Sequence, residues 1–347
     1  MAGLFDGYTL KGLTLKNRIM MSPMCQYSVW DQDGAPNEWH YVHYISRAVG
    51  GVGLVMMEMT DVVPDGRITV YDLGIWDDSQ IPAFRRIIDQ VHQYGAKIGI
   101  QIAHAGRKAE SPELRPEAPS AIAFSDKYRV PHALTTDEVH RLVEAFREGA
   151  RRAVEAGVDT LELHGAHGYL IHQFMSPLSN HRDDQYGEPT RFGVEVIEAV
   201  KSVMPSDMPL LMRLSATEYT EEGYGFADLL KMARVYRDHG VDMFDVSTGG
   251  NAVVRIRDYP GYQLPYAAEL KKTLDVPVAA VGRLESFDLA QSAVERGEAD
   301  IIAVARGLLK DAYWANSAAL HLGDTVQVPE EYYRAFPRWF TSPDAAR

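Results

Sequence analysis

Two histidines three residues apart, with a tyrosine two further on, close the stretch Leu163-His164-Gly165-Ala166-His167-Gly168-Tyr169. They bring two neutral hydrogen-bond donors and a phenol into one small volume, and the glycines between them let the backbone turn tightly and approach a ligand. Such a set suits a reaction in which a carbonyl oxygen gains negative charge while a neighbouring carbon takes a proton. The alternative is a pair of loop histidines satisfied by carbonyls beside a packed tyrosine, and the segment alone does not choose. A zinc site on the same pair is disfavoured, because no third ligand stands at suitable local spacing.

These residues must be held by something, and the apolar run 157–163 before them reads as a buried strand. Comparable runs recur at 17–24, 53–59, 97–103, 210–214, 243–246, 278–281 and 301–305, eight in all. Between and after them lie stretches of helical period at 39–49, 79–94, 136–156, 191–204, 226–239, 265–274, 286–296 and 311–322. Thr136 with Glu138 in the first turn and Ser286 before Phe287 mark starts, and Tyr94-Gly95, Ala156-Gly157 and His239-Gly240 mark stops. Residues 4–16 alternate apolar and polar side chains around Gly12, a hairpin pattern. Strand and helix repeated eight times predict an α/β protein, a (β/α)₈ TIM barrel with an N-terminal hairpin and a C-terminal extension at 329–347. No linker divides the chain, so residues 1–347 read as one domain. A doubly wound sheet lacks the glycine-rich dinucleotide turn it would need after the first strand.

In such a barrel chemistry sits where the strands end. The ends here are Ser22-Pro23-Met24-Cys25, Glu58-Met59-Thr60, Gln101-Ile102-Ala103-His104, the two histidines, Ser247-Thr248-Gly249-Gly250, Gly282-Arg283 and Ala305-Arg306-Gly307. Arg213 lies inside the fifth apolar run and needs an anion or a carboxylate partner, since an unpaired buried charge is costly. Glycine-rich ends after strands seven and eight are a common phosphate site, which Gly282, Arg283, Ala305 and Arg306 fit; pairing of Arg306 with an acidic residue is the alternative.

The net charge of -13 argues against nucleic acid or an anionic membrane as partner, while a few arginines can still grip a phosphate. No run approaches a transmembrane helix, the start lacks the regions of a signal peptide, and the single Cys25 excludes an intrachain disulfide or a cysteine-rich metal site. A cytoplasmic enzyme acting on a small molecule is the expectation.

Longer strings add a resemblance: Asn17-Arg18-Ile19 followed by Ser22 to Tyr27, Gly66-Arg67-Ile68, Asp72-Leu73-Gly74-Ile75-Trp76, Gln101 to Ala109, His164 to Tyr169, and Tyr259-Pro260-Gly261-Tyr262-Gln263. Over nearly its whole length the chain resembles the Old Yellow Enzyme family of FMN-dependent ene-reductases, in particular its xenobiotic-reductase-A-like bacterial subgroup. That resemblance implies FMN as cofactor and NADPH as its reductant, with enones, enals and nitro compounds as substrates. It implies that Ser22, Pro23, Met24, Cys25 and Met59 line the flavin, that Gln101 bonds its pyrimidine edge, and that Arg213 lies near its N1/C2 carbonyl. Gly282, Arg283, Ala305 and Arg306 would hold the phosphate. His164 and His167 would bind the substrate carbonyl, Tyr169 would donate the proton after hydride leaves flavin N5, Tyr27 and Lys108 would border the substrate, and Cys25 would tune the flavin. A homodimer or homotetramer is implied, with Arg334 reaching a neighbouring subunit and Arg338 as its rival. The family's Tyr-Gly-Gly after strand four reads Tyr186-Gly187-Glu188 here.

Two rival functions remain. A flavin-free aldolase or isomerase would grip a substrate phosphate and need a Schiff-base lysine or an acidic base within a strand; no strand interior shows that lysine. A non-catalytic flavin-binding protein would hold FMN without turnover.

Overall fold

The computed structural model describes residues 2–325 and 328–336. Eight parallel strands close into a barrel: β1 (Ile19–Met21), β2 (Leu54–Asp61), β3 (Lys97–Ala103), β4 (Thr160–Gly165), β5 (Leu210–Ser215), β6 (Met243–Ser247), β7 (Val278–Ala280) and β8 (Ile301–Val304), with β1 paired to both β8 and β2. The strand order follows the chain around the ring, as repeated right-handed strand–helix units require.

Each helix is made by local chemistry. Helix Thr136–Ala156 starts at Thr135, whose hydroxyl accepts from Glu138 N–H while the Glu138 carboxylate accepts from Thr135 N–H; it stops at Gly157, left-handed at φ 104°. The cap is therefore one residue earlier than Thr136. Residues 311–322 do not form one helix: a short helix Arg306–Lys310 precedes Trp314–Leu322. A further short helix, Leu170–Met175, follows β4, and its six residues are too few for helical period to reveal.

The barrel interior and the shell between strands and helices are separate apolar cores. Met20, Leu54, Met56, Leu211, Met243, Ala279 and Ile301 fill the interior with Leu13 and Leu15 of the N-terminal hairpin, which plugs the bottom. Strand alternation decides which residues face inward, and polar residues take the inward positions toward the mouth. Register places Met59 beside Gln101 and Gln101 beside Glu162, then His164 beside Arg213 and Arg213 beside Asp245, then Ser215 beside Ser247. The apolar runs thus carry polar residues on their inward face near the mouth. In β2 a register shift between Met57 and Met59 changes the facing, so Met59 reaches the mouth while Glu58 meets Tyr44 and His40 of helix Glu38–Val49.

Leu211 is fully buried among the interior side chains. Leu211→Ala is expected to lower the unfolding free energy by about 2–5 kcal/mol, read from denaturant titration of the holoprotein.

Candidate active site

His164, His167 and Tyr169 lie together at the end of β4. The rings of His164 and His167 are 5.2 Å apart and nearly perpendicular, and the Tyr169 ring stands 4.8 Å from His164. His167 is left-handed at φ 60° and Gly168 at φ 75°. A non-glycine residue there costs of order 1–3 kcal/mol and persists only when its surroundings impose it. The turn is imposed from several sides. His167 N–H donates to Ser215 Oγ at 3.0 Å, and Lys108 Nζ donates to His167 O at 2.9 Å. The backbone of Gly250 leaves no room either: a Cβ on Gly168 would stand 2.5 Å from Gly250 O.

Both imidazoles are neutral. Burial, and then the charge of Arg213, holds them well below the ordinary histidine range. Ala166 N–H points at His164 Nδ1 at 3.3 Å, so the ring hydrogen sits on Nε2 and can be donated. His167 Nε2 lies 2.7 Å from Ser247 Oγ, and that hydroxyl accepts from Gln263 Nε2 at 3.1 Å, which leaves its own hydrogen for the imidazole. Burial, followed by Cys25 and Tyr27, lifts the Tyr169 phenol well above its usual range, so it keeps its proton. Burial and the Glu58 carboxylate push the Cys25 thiol up, which removes it as a thiolate nucleophile.

Around this triad Met59, Ile68, Ala103 and Ala105 form an apolar patch against which Cys25 and Tyr169 pack. Tyr27, left-handed at φ 50° and 42% exposed, stands at the outer edge next to Cys25. Lys108 lies 5.0 Å from the Tyr169 ring, but its ammonium is engaged by the carbonyls of His167 and Gly250 and acts first as a brace.

Beneath the mouth sits the charged layer. Gln101 Nε2 donates to Glu162 Oε1 at 2.7 Å, which leaves the Gln101 carbonyl oxygen as an acceptor for a ligand N–H. Arg213 Nε is 3.3 Å from Asp245 Oδ2. Both acids are fully buried; burial raises Glu162 and Asp245 alike, Glu162 further through the Asp245 charge, while Arg213 opposes the rise. Asp245 is the partner that the buried Arg213 demanded. It was overlooked because it lies inside a run of only four residues, Met243-Phe244-Asp245-Val246, although the rule applied to Arg213 also picks it out.

A cleft of about 170 Å³ runs outward from His167, Arg213 and Ser247 to Gly282, Arg283 and Arg306. Gly282 and Arg283 are successive left-handed residues, at φ 106° and 56°, and a Cβ on Gly282 would meet Gln263 at 2.8 Å. Arg306 and Arg283 both face Asp258, at 3.3 and 3.9 Å. The acidic partner envisaged for Arg306 therefore exists. It is an exposed pair, however, of the kind worth about 0–1 kcal/mol and easily exchanged for a phosphate.

Ser22 Oγ, Arg213 Nε, Glu162 Oε2 and both Asp245 oxygens are buried without hydrogen-bond partners among the described residues. Unmatched polar atoms under the mouth, an apolar patch above and an arginine-lined outer cleft fit a planar heterocycle carrying a phosphate. Arg334 is exposed on the 3₁₀ turn Glu330–Ala335, next to Tyr332, whose ring stands 6.2 Å from Tyr313. Arg338 lies outside the described residues.

Residues 3–325 match the NADH:flavin oxidoreductase / NADH oxidase family. The chain belongs to that family. Two relatives are NADPH dehydrogenases. That of Geobacillus sp. (strain WCH70) is 46% identical over 337 residues, 96% of this chain and 98% of the relative. That of Listeria innocua serovar 6a is 46% identical over 341 residues, 97% and 100%. Among solved structures, the old yellow enzyme homologue from Zymomonas mobilis is 27% identical with a TM-score of 0.79, covering 99% of this chain and 98% of that one. Morphinone reductase is 26% identical with a TM-score of 0.79, covering 98% and 93%. Like the rest of this flavin oxidoreductase family, the chain is an oxidoreductase with FMN as cofactor, and the resemblance read from its sequence strings was to the right family.

Neutral, buried imidazoles make a direct prediction. The ¹⁵N ring signals of His164 and His167 should stay those of uncharged imidazole between roughly pH 5 and 7.5, where a free histidine titrates. His164 should show the Nε2–H tautomer. A titration near pH 6.5 in either ring would contradict the neutrality that burial and Arg213 impose.

Proposed function

We propose that the protein is an NADPH-dependent ene-reductase that saturates the C=C bond of enones, enals and nitroalkenes. The observation that carries this reading is the set of three protonated, uncharged groups on one turn, with His164 Nε2–H free to donate and Tyr169 beside it. Bound FMN, with NADPH as its reductant, would supply the hydride for the β-carbon of the activated alkene.

The protein's own part is orientation and charge compensation. His164 and His167 grip the carbonyl or nitro oxygen, and these fixed donors become more valuable as that oxygen gains charge. Imidazolium in their place would bind anions tightly in the ground state, so neutrality favours the transition state over the resting complex. Tyr169 gives its proton to the α-carbon, which its elevated pKa allows because the developing carbanion is a stronger base. Tyr27 closes the outer edge of the substrate site, Lys108 steadies the turn, and Arg334 is the residue available to a second subunit. Ser22, Pro23, Met24, Cys25, Met59 and Gln101 line the cofactor site. Arg213 would compensate charge on the bound ring, with Asp245 balancing its own. Gly282, Arg283, Ala305 and Arg306 take the phosphate. A flavin-free aldolase or isomerase would need a strand lysine or a free acidic base facing the mouth; the inward positions there are Gln101, Glu162, His164, Arg213 and Asp245, with no lysine among them and the two acids engaged by Gln101 and Arg213.

The decisive experiment follows the visible spectrum of yellow holoprotein through anaerobic NADPH and then cyclohexenone. Bleaching by NADPH and recovery by the enone support the reading, and bleaching without recovery counts against it. In Tyr169→Phe, recovery by the enone should slow about 10²- to 10⁴-fold while bleaching by NADPH changes little; equal slowing of both would remove the proton-donor assignment. Arg283→Ala combined with Arg306→Ala should weaken FMN binding to apoprotein by at least about tenfold, measured by quenching of flavin fluorescence.

A further inference from the structure

Beneath the His167 turn lies a second polar cluster with no part in the steps above. His172, on the short helix Leu170–Met175, and Glu218, in the segment after β5, are both fully buried, with Nε2 3.1 Å from Oε1. Hydrogen-bond directions fix the proton on the ring. Gly168 N–H donates to His172 Nδ1 at 2.9 Å, so Nδ1 is the bare nitrogen and Nε2 carries the hydrogen toward Glu218.

Every neighbour of Glu218 is a donor. Besides His172, its carboxylate accepts from Asn251 Nδ2 at 2.8 Å, Tyr224 N–H at 2.8 Å and Ser176 Oγ at 2.9 Å. Asn251 Oδ1 in turn accepts from Arg107 Nη2 at 2.8 Å. These bonds, that from His172 foremost, hold the carboxyl below its ordinary range although burial alone would raise it.

Two routes lead from this pair, and both end on the same turn. One is the direct bond from Gly168 N–H. The other passes through Tyr224, whose hydroxyl lies 2.9 Å from His172 Nε2 and donates to Ser215 O at 2.8 Å, while Ser215 Oγ accepts from His167 N–H at 3.0 Å. We infer that His172 and Glu218 are positioning residues: without touching the ligand they hold His167 and Gly168 left-handed and so aim the His167 imidazole at the ligand's oxygen. A buried polar partner that only glued elements together could be replaced by apolar packing. This one is oriented by donors so that a single tautomer, and with it a single backbone turn, is satisfied. The inference rests on the proposal that His167 meets the substrate oxygen.

Glu218→Gln keeps the shape but sets an amide NH₂ among donors, which leaves His172 without its acceptor or reverses its tautomer against Gly168 N–H. The test is a double-mutant cycle on holoprotein with His167→Ala, reading the affinity for 4-hydroxybenzaldehyde from the perturbed flavin spectrum and kcat/KM for cyclohexenone. Glu218→Gln alone should weaken the phenol about tenfold and lower kcat/KM by about 10- to 100-fold. In the His167→Ala background it should change the phenol affinity less than about twofold, because the ring it aims is gone. Equal weakening in both backgrounds, or full affinity in Glu218→Gln holoprotein, overturns the positioning role. If His167→Ala itself leaves phenol affinity unchanged, the substrate-oxygen reading fails and takes this one with it, so the two failures are distinguishable. Should Glu218→Gln give no holoprotein, Tyr224→Phe, which deletes a hydroxyl beside His172, takes its place in the cycle: weakening confined to the His167 background supports the positioning role, and equal weakening in both overturns it.

Discussion

A guanidinium inside a closed barrel is the constraint on which the rest of this structure turns. Arg213 is in register with His164 on one side and Asp245 on the other, and strand alternation faces it inward, where water cannot compensate it. Asp245 answers that charge at 3.3 Å, and Glu162, one strand further round, is then a second acid in the same dry layer and is driven toward its neutral form. The layer thereby presents one cation, with unmatched hydrogen-bonding atoms, to whatever lies across the mouth. Beneath it the interior is apolar but for Thr160, whose hydroxyl donates to Pro209 O at 2.9 Å, and it is sealed by Leu13 and Leu15 of the hairpin. The barrel is thus an apolar pedestal under a polar upper layer.

The same charge shapes the chemistry above it. Arg213 contributes to keeping His164 and His167 neutral, and burial among phenol and thiol keeps Tyr169 protonated. The site therefore holds donors at rest, and in the proposed reaction no proton need move before an oxygen gains charge. In that reading it works by fixed dipoles, with the redox step left to FMN.

Backbone strain gathers at the same rim. Tyr27, His167 and Arg283 are all non-glycine residues at positive φ, and each follows a barrel strand into the mouth. Such strain survives because the surroundings over-determine it, as Ser215, Lys108, Gly250 and the His172–Glu218 pair do for His167.

Much of the fold was legible beforehand, since alternating strands and helices are local, periodic signals, and helix 136–156 was bounded to the residue. His164, His167, Tyr169, Arg213 and the glycine–arginine ends stood out because polar residues interrupting apolar runs are rare. Partners were harder to see. That Arg213 meets Asp245, that Gln101 meets Glu162, and that Arg306 faces Asp258 depends on register and on loops far apart in the chain. Lys108 looked like a rim residue and proved to brace His167, and the bulge that turns Glu58 outward leaves no periodic trace. The short helix carrying His172 was invisible for the same reason. The sequence by itself determined the number and order of elements and which side chains could do chemistry, because those follow from period and residue type. Which of them touch, and which stay charged, only the closed barrel decided, because contact and desolvation are properties of packing.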